Sequence, residues 1–185
     1  RSGVLSEPWF GHLRSAPTRP RNIRFVWGGD TCGQGYGINP EIGGMRGYAA
    51  MHATMPDFFL HSGDTIYADN PIPETLEVAG EPTWRNLVTE ETSKVAETLN
   101  EFRGRHRYNM MDDNLRALYA DVPVIAQWDD HETTNNWWPG EVLEDPRYTQ
   151  VRDVDTLAAR ARDAAASAAH VCLTEVARAL GPAPL

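Results

Sequence analysis

The residues best suited to chemistry are acids at the ends of short apolar runs, after glycine in two of the three. Phe25-Val-Trp27 leads into Gly28, Gly29 and Asp30, and Asp57-Phe-Phe-Leu60 leads into His61, Gly63, Asp64 and Tyr67. Val122-Pro-Val-Ile-Ala126 leads into Asp129, Asp130, His131 and Glu132. Carboxylates and a phenolate are hard oxygen ligands, suited to Fe(III), Ca, Mg or Mn and unlike a thiolate zinc site. A carboxylate such as Asp64 has two oxygens and can bridge two cations, and a cation pair roughly 3.5–4 Å apart can clamp a phosphate and supply hydroxide near neutral pH. His131 could protonate a leaving alkoxide or steady the charge on a transferred phosphoryl group. One aspartate at a strand end is ordinarily a turn former or helix cap. Three such ends, one with a histidine, make a metal centre the leading reading.

Strands must hold these groups. The apolar runs read as buried strands, at 22–27, 57–61 and 122–127. A Gly-Asp pair at a strand's carboxyl end lets the chain turn sharply and aims the carboxylate into the crevice where open α/β sheets bind ligands. Gly28 to Gly44 is too glycine-rich for a helix and reads as a loop, at the site below Asp30 or on the surface. Met45 to Met55 has helical spacing, with His52 expected on the helix surface and not as a ligand. The segment from Asn70 to Pro82 is expected to lack regular structure. Thr83 is expected to cap a long helix with Trp84, Leu87, Val88, Val95, Leu99 and Phe102 inward. Glu90, Glu91, Lys94, Glu97 and Glu101 would then line its solvated face, and Arg103 to Arg107 would be a surface cluster. A short helix over 112–119 feeds the third strand. This βαβαβ alternation implies parallel strands and a layered α/β fold.

At 185 residues the chain can bury one core, and its 41% hydrophobic and 23% charged composition is that of a soluble globular protein. A net charge of −9 argues against nucleic acid or an anionic membrane as main partner. It leaves room for an anionic substrate, because bound cations invert the local field of an acidic pocket. No apolar run reaches the roughly 18 residues needed to span a bilayer. Cys32 and Cys172 form no spacing pattern. Cys32 could join the site beside Asp30 or be a buried, inert thiol. Residues 1–21 read as a linker or the tail of a preceding element. An alanine-rich helix over Asp155–Leu180, stopped by Gly181-Pro182, carries no evident chemistry.

The runs Phe25-Val-Trp-Gly-Gly-Asp-Thr-Cys-Gly-Gln-Gly-Tyr-Gly-Ile-Asn39, Pro56-Asp-Phe-Phe-Leu-His-Ser-Gly-Asp-Thr-Ile-Tyr-Ala-Asp69 and Gln127-Trp-Asp-Asp-His-Glu132 resemble the PhoD-like (alkaline phosphatase D) family of metallophosphatases. Lys94 to Leu99, Glu101 to Gly104 and Tyr108-Asn109 fit the same pattern, and the resemblance covers about residues 22–150. It implies a four-layer αββα metallophosphoesterase fold, of which this chain would hold the first βαβαβ half. It also implies hydrolysis of phosphate mono- and diesters, Fe(III) with Ca(II), and a periplasmic or secreted location. By position, Asp30 takes the place of the first-strand ligand, which is a cysteine in some members. Asp64 resembles the bridging aspartate and Tyr67 the tyrosinate ligand of iron. Asp130 and His131 resemble the Asn-His pair of the wider superfamily, with Asp129 as a reserve ligand.

The family's second half supplies further ligands in a Gly-Asp-Val-His-type motif, and no such motif occurs here. Residues 151–185 are read as a helical tail unlike the family. The expectation is therefore a truncated phosphatase domain acting on a small phosphate ester. Its rivals are an inactive fragment that keeps the half-fold and a diesterase of phospholipase D type.

Overall fold

The computed structural model describes residues 10–180 except 13, 14 and 81, and only the backbone of 169–180. Most of the expected 1–21 linker, the Gly181-Pro182 stop and the side chain of Cys172 lie outside that description. Three parallel strands, β1 (Phe25–Gly28), β2 (Phe58–His61) and β5 (Val124–Ala126), form the sheet in the order β1-β2-β5. Phe25 pairs with Phe58 and Phe59 with Val124, so the three carboxyl ends lie side by side. The fold is α/β, and the three expected strands are its sheet.

Side chains alternate across a strand, and here the two faces differ. Phe59 is fully buried with Leu118 and Val122, and Val26, Tyr48, Met51 and Val124 pack around them. This face is covered by α1 (Arg46–Ala53) and α3 (Asp113–Asp121), which pack on each other. Asp112 caps α3 by accepting from the amides of Asn114 and Leu115. On the opposite face Phe25 stacks on Phe58 with centroids 5.2 Å apart, while Phe25, Trp27 and Ile125 are exposed. Helices thus cover one face of the three-stranded sheet among the described residues.

A second core lies around α2 (Leu99–Asn109) and α4 (Val154–Leu180), which pack along each other. Ile66, Val95, Phe102, Tyr148, Leu157 and Ala161 are buried there. The boundary placed at residue 150 thus falls inside a shared core, since Val154, Leu157, Ala161 and Ala164 pack against residues before it. His52 pairs with Asp121, as suits a helix-surface residue.

The long helix expected from Thr83 does not form. Trp84–Arg85 is a strand, β4, paired antiparallel with β3 (Thr75–Leu76) in a region expected to be irregular. Residues 86–98 are mostly turn and loop, and the helix starts at Leu99. Thr98 caps it through a reciprocal pair, accepting from Glu101 N while Glu101 accepts from Thr98 N. The apolar spacing misleads because Leu87 and Val88 serve the cluster around Ile38 and Tyr108, while Val95 serves the α2–α4 core. Glu97 is not on a solvated face either. It is fully buried, accepts from Gln150 N at 2.5 Å and Val151 N at 3.0 Å, and pairs with Lys94. Arg105 is likewise interior, donating to the carbonyls of Asn70 and Lys94.

Candidate functional site

The loops beyond the three strands are sewn to one another by backbone. Asp30 N donates to Gly63 O at 3.2 Å, Thr31 N to Asp64 O at 2.9 Å and Gln127 N to His61 O at 2.9 Å. The weave is tight enough to dictate residue types. A Cβ at Gly63, whose φ is +107°, would stand 2.4 Å from Asp129 Cβ, and one at Gly33 would stand 2.5 Å from the Tyr67 ring. Asp30, Cys32, Gln34 and Asp64 hold φ between +51° and +61°, a region that costs a non-glycine residue about 1 kcal/mol or more. Such strain persists only where the surroundings over-determine it.

This weave gathers the expected acids. One ligand atom each from Asp64, Asp130 and His131 lies within 4.8 Å of the others. Beside them Tyr67 OH donates to Asp30 Oδ1 at 2.7 Å, and the Tyr67 ring stacks on the His131 ring at 4.3 Å. Asp129 is adjacent to the cluster but turned to the backbone, accepting from Asp130 N at 3.0 Å. Asp130 accepts from Asn136 N at 2.6 Å, and His131 N donates to Asp64 Oδ1 at 3.3 Å. Cys32 stands apart from these ligands, packed against the cluster of Ile38, Ile72 and Tyr108. It is a free thiol whose pKa burial pushes up to about 12, an inert state.

Charge crowding shapes the ionisation. Burial, with Glu132 nearby, lifts the Asp64 carboxyl to about 6 against the opposing pull of Tyr67 and His131. Burial and hydrogen bonds to Asp30 and Asp64 hold the Tyr67 phenol well above its ordinary value. For His131, burial pulls downward, but the Asp69 hydrogen bond and the charges of Asp69, Asp64 and Asp130 raise it on balance. The set of carboxylates, phenol and imidazole fits a hard cation. Positive charge at this point would favour the ionised forms of Asp64 and Tyr67 that burial opposes.

Two acids that brace the site escaped sequence reasoning. Asp69 Oδ1 meets His131 Nδ1 at 2.7 Å while its Oδ2 accepts from Asn135 N at 3.0 Å, so it fixes the imidazole. Glu132 is buried and staples two loops, accepting from Thr65 N at 2.5 Å and Thr65 Oγ1 at 2.8 Å on one oxygen and from Asp129 N at 2.8 Å on the other. Both residues stood inside the quoted motifs. Their only signal was adjacency to Tyr67 and His131, which does not tell a ligand from a residue that holds one.

Residues 25–168 match the family model for PhoD-like phosphatases. A stretch of 97 residues, 52% of the chain, is 34% identical to the alkaline phosphatase D of Bacillus subtilis (strain 168) and covers 15% of that protein. A solved structure of PhoD superposes with a TM-score of 0.52 at 25% identity, over 88% of this chain and 26% of that one. The chain therefore spans about a quarter of the length of that solved relative and less of the other.

Proposed function

The chain belongs to the PhoD-like phosphatase family, and from that premise we propose that it works as a metal-dependent phosphatase on small phosphate mono- and diesters. The observation that supports this most is the convergence of Asp64, Asp130 and His131 within 4.8 Å, with the Asp30–Tyr67 pair alongside. Asp30, Asp64, Tyr67 and Asp130 would hold the metal, with Asp129 in reserve. Fe(III) with Ca(II) suits their oxygen chemistry, as would other hard divalent cations. When bound, such ions act as Lewis acids on the phosphoryl oxygens and make water a nucleophile at near-neutral pH.

The chain's own residues do the rest. Asp69 engages Nδ1 of His131, so Nε2 is the nitrogen left for a substrate oxygen. Held this way, the ring is placed to steady the phosphoryl charge or give a proton to the leaving oxygen. Tyr67 stacks against the ring and limits its tilt. Glu132 holds the Asp64 and Asp130 loops in register by tying Thr65 to Asp129.

The test is metal content by mass spectrometry of the dissolved protein, followed by turnover of a chromogenic phosphate ester with and without His131→Ala. The reading predicts stoichiometric iron and calcium, and turnover that the variant loses. Monoester and diester rates measured together separate a phosphatase from a diesterase of phospholipase D type. A second reading rests on coverage, since the chain spans 26% of the solved relative: a half-fold that binds a cation without turnover. Metal without turnover selects it, and no metal even after incubation with iron and calcium sinks both. We extend the proposal to a periplasmic or secreted location, supported by the family resemblance alone and checked by cell fractionation.

A further inference from the structure

A cleft of about 470 Å³ opens beside Asp30 and Tyr67, within the range of small-molecule sites. One wall is aromatic: Tyr36 and Trp84 meet edge to face at 5.5 Å, and both line the cleft. That wall is fixed by a single amide. Asn86 Oδ1 accepts from Trp84 Nε1 at 2.8 Å and Gly37 N at 2.7 Å, while its Nδ2 donates to Gly35 O at 2.8 Å and Pro73 O at 2.7 Å. All the hydrogen-bonding capacity of Asn86 is spent on joining the indole to the glycine loop. The loop itself is strained, with Asp30, Cys32 and Gln34 at positive φ.

The lining also holds a cation. Arg46, the first residue of α1, lines the cleft and forms no ion pair among the described residues. Helix α1 has no acid in its first turn, but the amide of Met45 at its start donates to Asp112 Oδ2 at 2.8 Å, so the Arg46 side chain is the cation offered to a ligand. An aromatic wall locked in place, a cation in the lining and the Asp30–Tyr67 pair that joins the cleft to the acidic centre define what would fit.

We propose that this cleft binds the organic part of the phosphate ester and selects an aromatic group that carries a second anionic substituent. The proposal rests on the phosphatase reading and names its substrate class. The phosphoryl end sits at Asp64, Asp130 and His131, the ring lies on Trp84 and Tyr36, and the far anion meets Arg46.

Calorimetric titration of the full chain in the presence of iron and calcium tests it, with inorganic phosphate, ethyl phosphate, phenyl phosphate and 4-carboxyphenyl phosphate as probes. Phenyl phosphate should bind about 10-fold tighter than ethyl phosphate, as a stacked ring would. The carboxylate should add about 5-fold. Trp84→Leu should bring the first ratio to near unity, whereas Arg46→Gln should abolish only the second. The wild-type indole N–H resonance of Trp84, assigned by Trp84→Phe, should shift with phenyl phosphate and stay still with ethyl phosphate. That readout and the exposed Arg46 decide the matter even if Trp84→Leu misfolds. Equal affinity for phenyl and ethyl phosphate, with inorganic phosphate still bound, overturns the cleft and leaves the phosphatase reading standing. No binding of any of the four probes overturns both.

Discussion

The strand-end loops and the α2–α4 core are stabilised by opposite means. In the loops, five non-glycine residues hold positive φ, and carboxylates of Glu132, Asp69 and Asp130 accept backbone or side-chain donors within and between loops. Between α2 and α4, Phe102, Val154, Leu157 and Ala161 are buried in unstrained helix or at its start. Hydrophobic burial is non-directional and roughly additive in area, whereas a carboxylate staple works at one geometry. A protein that must crowd acids can do so in the first region only because the second supplies stability that asks nothing of it. Substitutions should therefore separate stability from chemistry.

The largest effect belongs to the core. Phe102→Ala removes a fully buried ring from the α2–α4 cluster and should cost about 3–5 kcal/mol of unfolding free energy, read by urea denaturation. Metal stoichiometry at low denaturant should stay unchanged. Loss of metal in a variant that is still folded would show that the two regions are coupled.

Asp69→Asn makes the converse cut. Removing the charge that holds His131 Nδ1 should lower turnover about 10–100-fold while the unfolding midpoint barely moves. The His131 pKa should fall at the same time, because Asp69 is the foremost of the acids that raise it against burial. A proton NMR titration of the imidazole reads this without any need for activity. An unchanged His131 pKa would remove Asp69 from its positioning role.

Acid should act on the core side through His106. Its Nε2 is buried without a hydrogen-bond partner among the described residues, and burial lowers its pKa from 6.5 to about 4. Above 6.5 both states are neutral and stability is whole. Between 6.5 and about 4 the unfolded chain takes up a proton that the folded one refuses, so stability falls by up to about 1.4 kcal/mol per pH unit. Glu97 adds to the loss lower down. Burial opposes its charge, but the Gln150 and Val151 amides and Lys94 win and hold its pKa below the ordinary glutamate value. Its contribution is full above that ordinary value and is lost as pH falls through the depressed one. Thermal melts of His106→Leu against wild type should show the slope flattened between pH 6.5 and 4 and preserved below it.

Much of this was legible in the sequence, for a physical reason. Short apolar runs with acids at their ends, after glycine in β1 and β2 and as Asp129-Asp130-His131 after β5, signal parallel strands and crevice ligands together, so β1, β2, β5, Asp64, Asp130 and His131 could be read from local pattern. The same reasoning failed between residues 83 and 98. There the apolar side chains answer to two separate cores, and their spacing imitates a helix that the Trp84–Arg85 pairing precludes. Glu97 was misread for a related cause. A buried glutamate looks like any other until the segment at 149–151 arrives to satisfy it, over 50 residues away in sequence.

The smallest effect locates the true start of the helix. If α2 begins at Thr98, Thr98→Ala removes the side-chain acceptor for Glu101 N and should cost about 1 kcal/mol. Thr83→Ala should cost less than about 0.5 kcal/mol, since its hydroxyl donates only to the exposed Glu77 carboxylate. The order of the two is the informative quantity, because a helix running from residue 83 would demand the reverse. Chemical denaturation resolves differences of this size when both variants share one m-value. The capping box also ties Glu101 to the amides of Glu97 and Thr98. Thr98→Ala should therefore loosen the buried Glu97 turn, with faster amide exchange at Gln150 and Val151 and none of that change in the Asp64 loop.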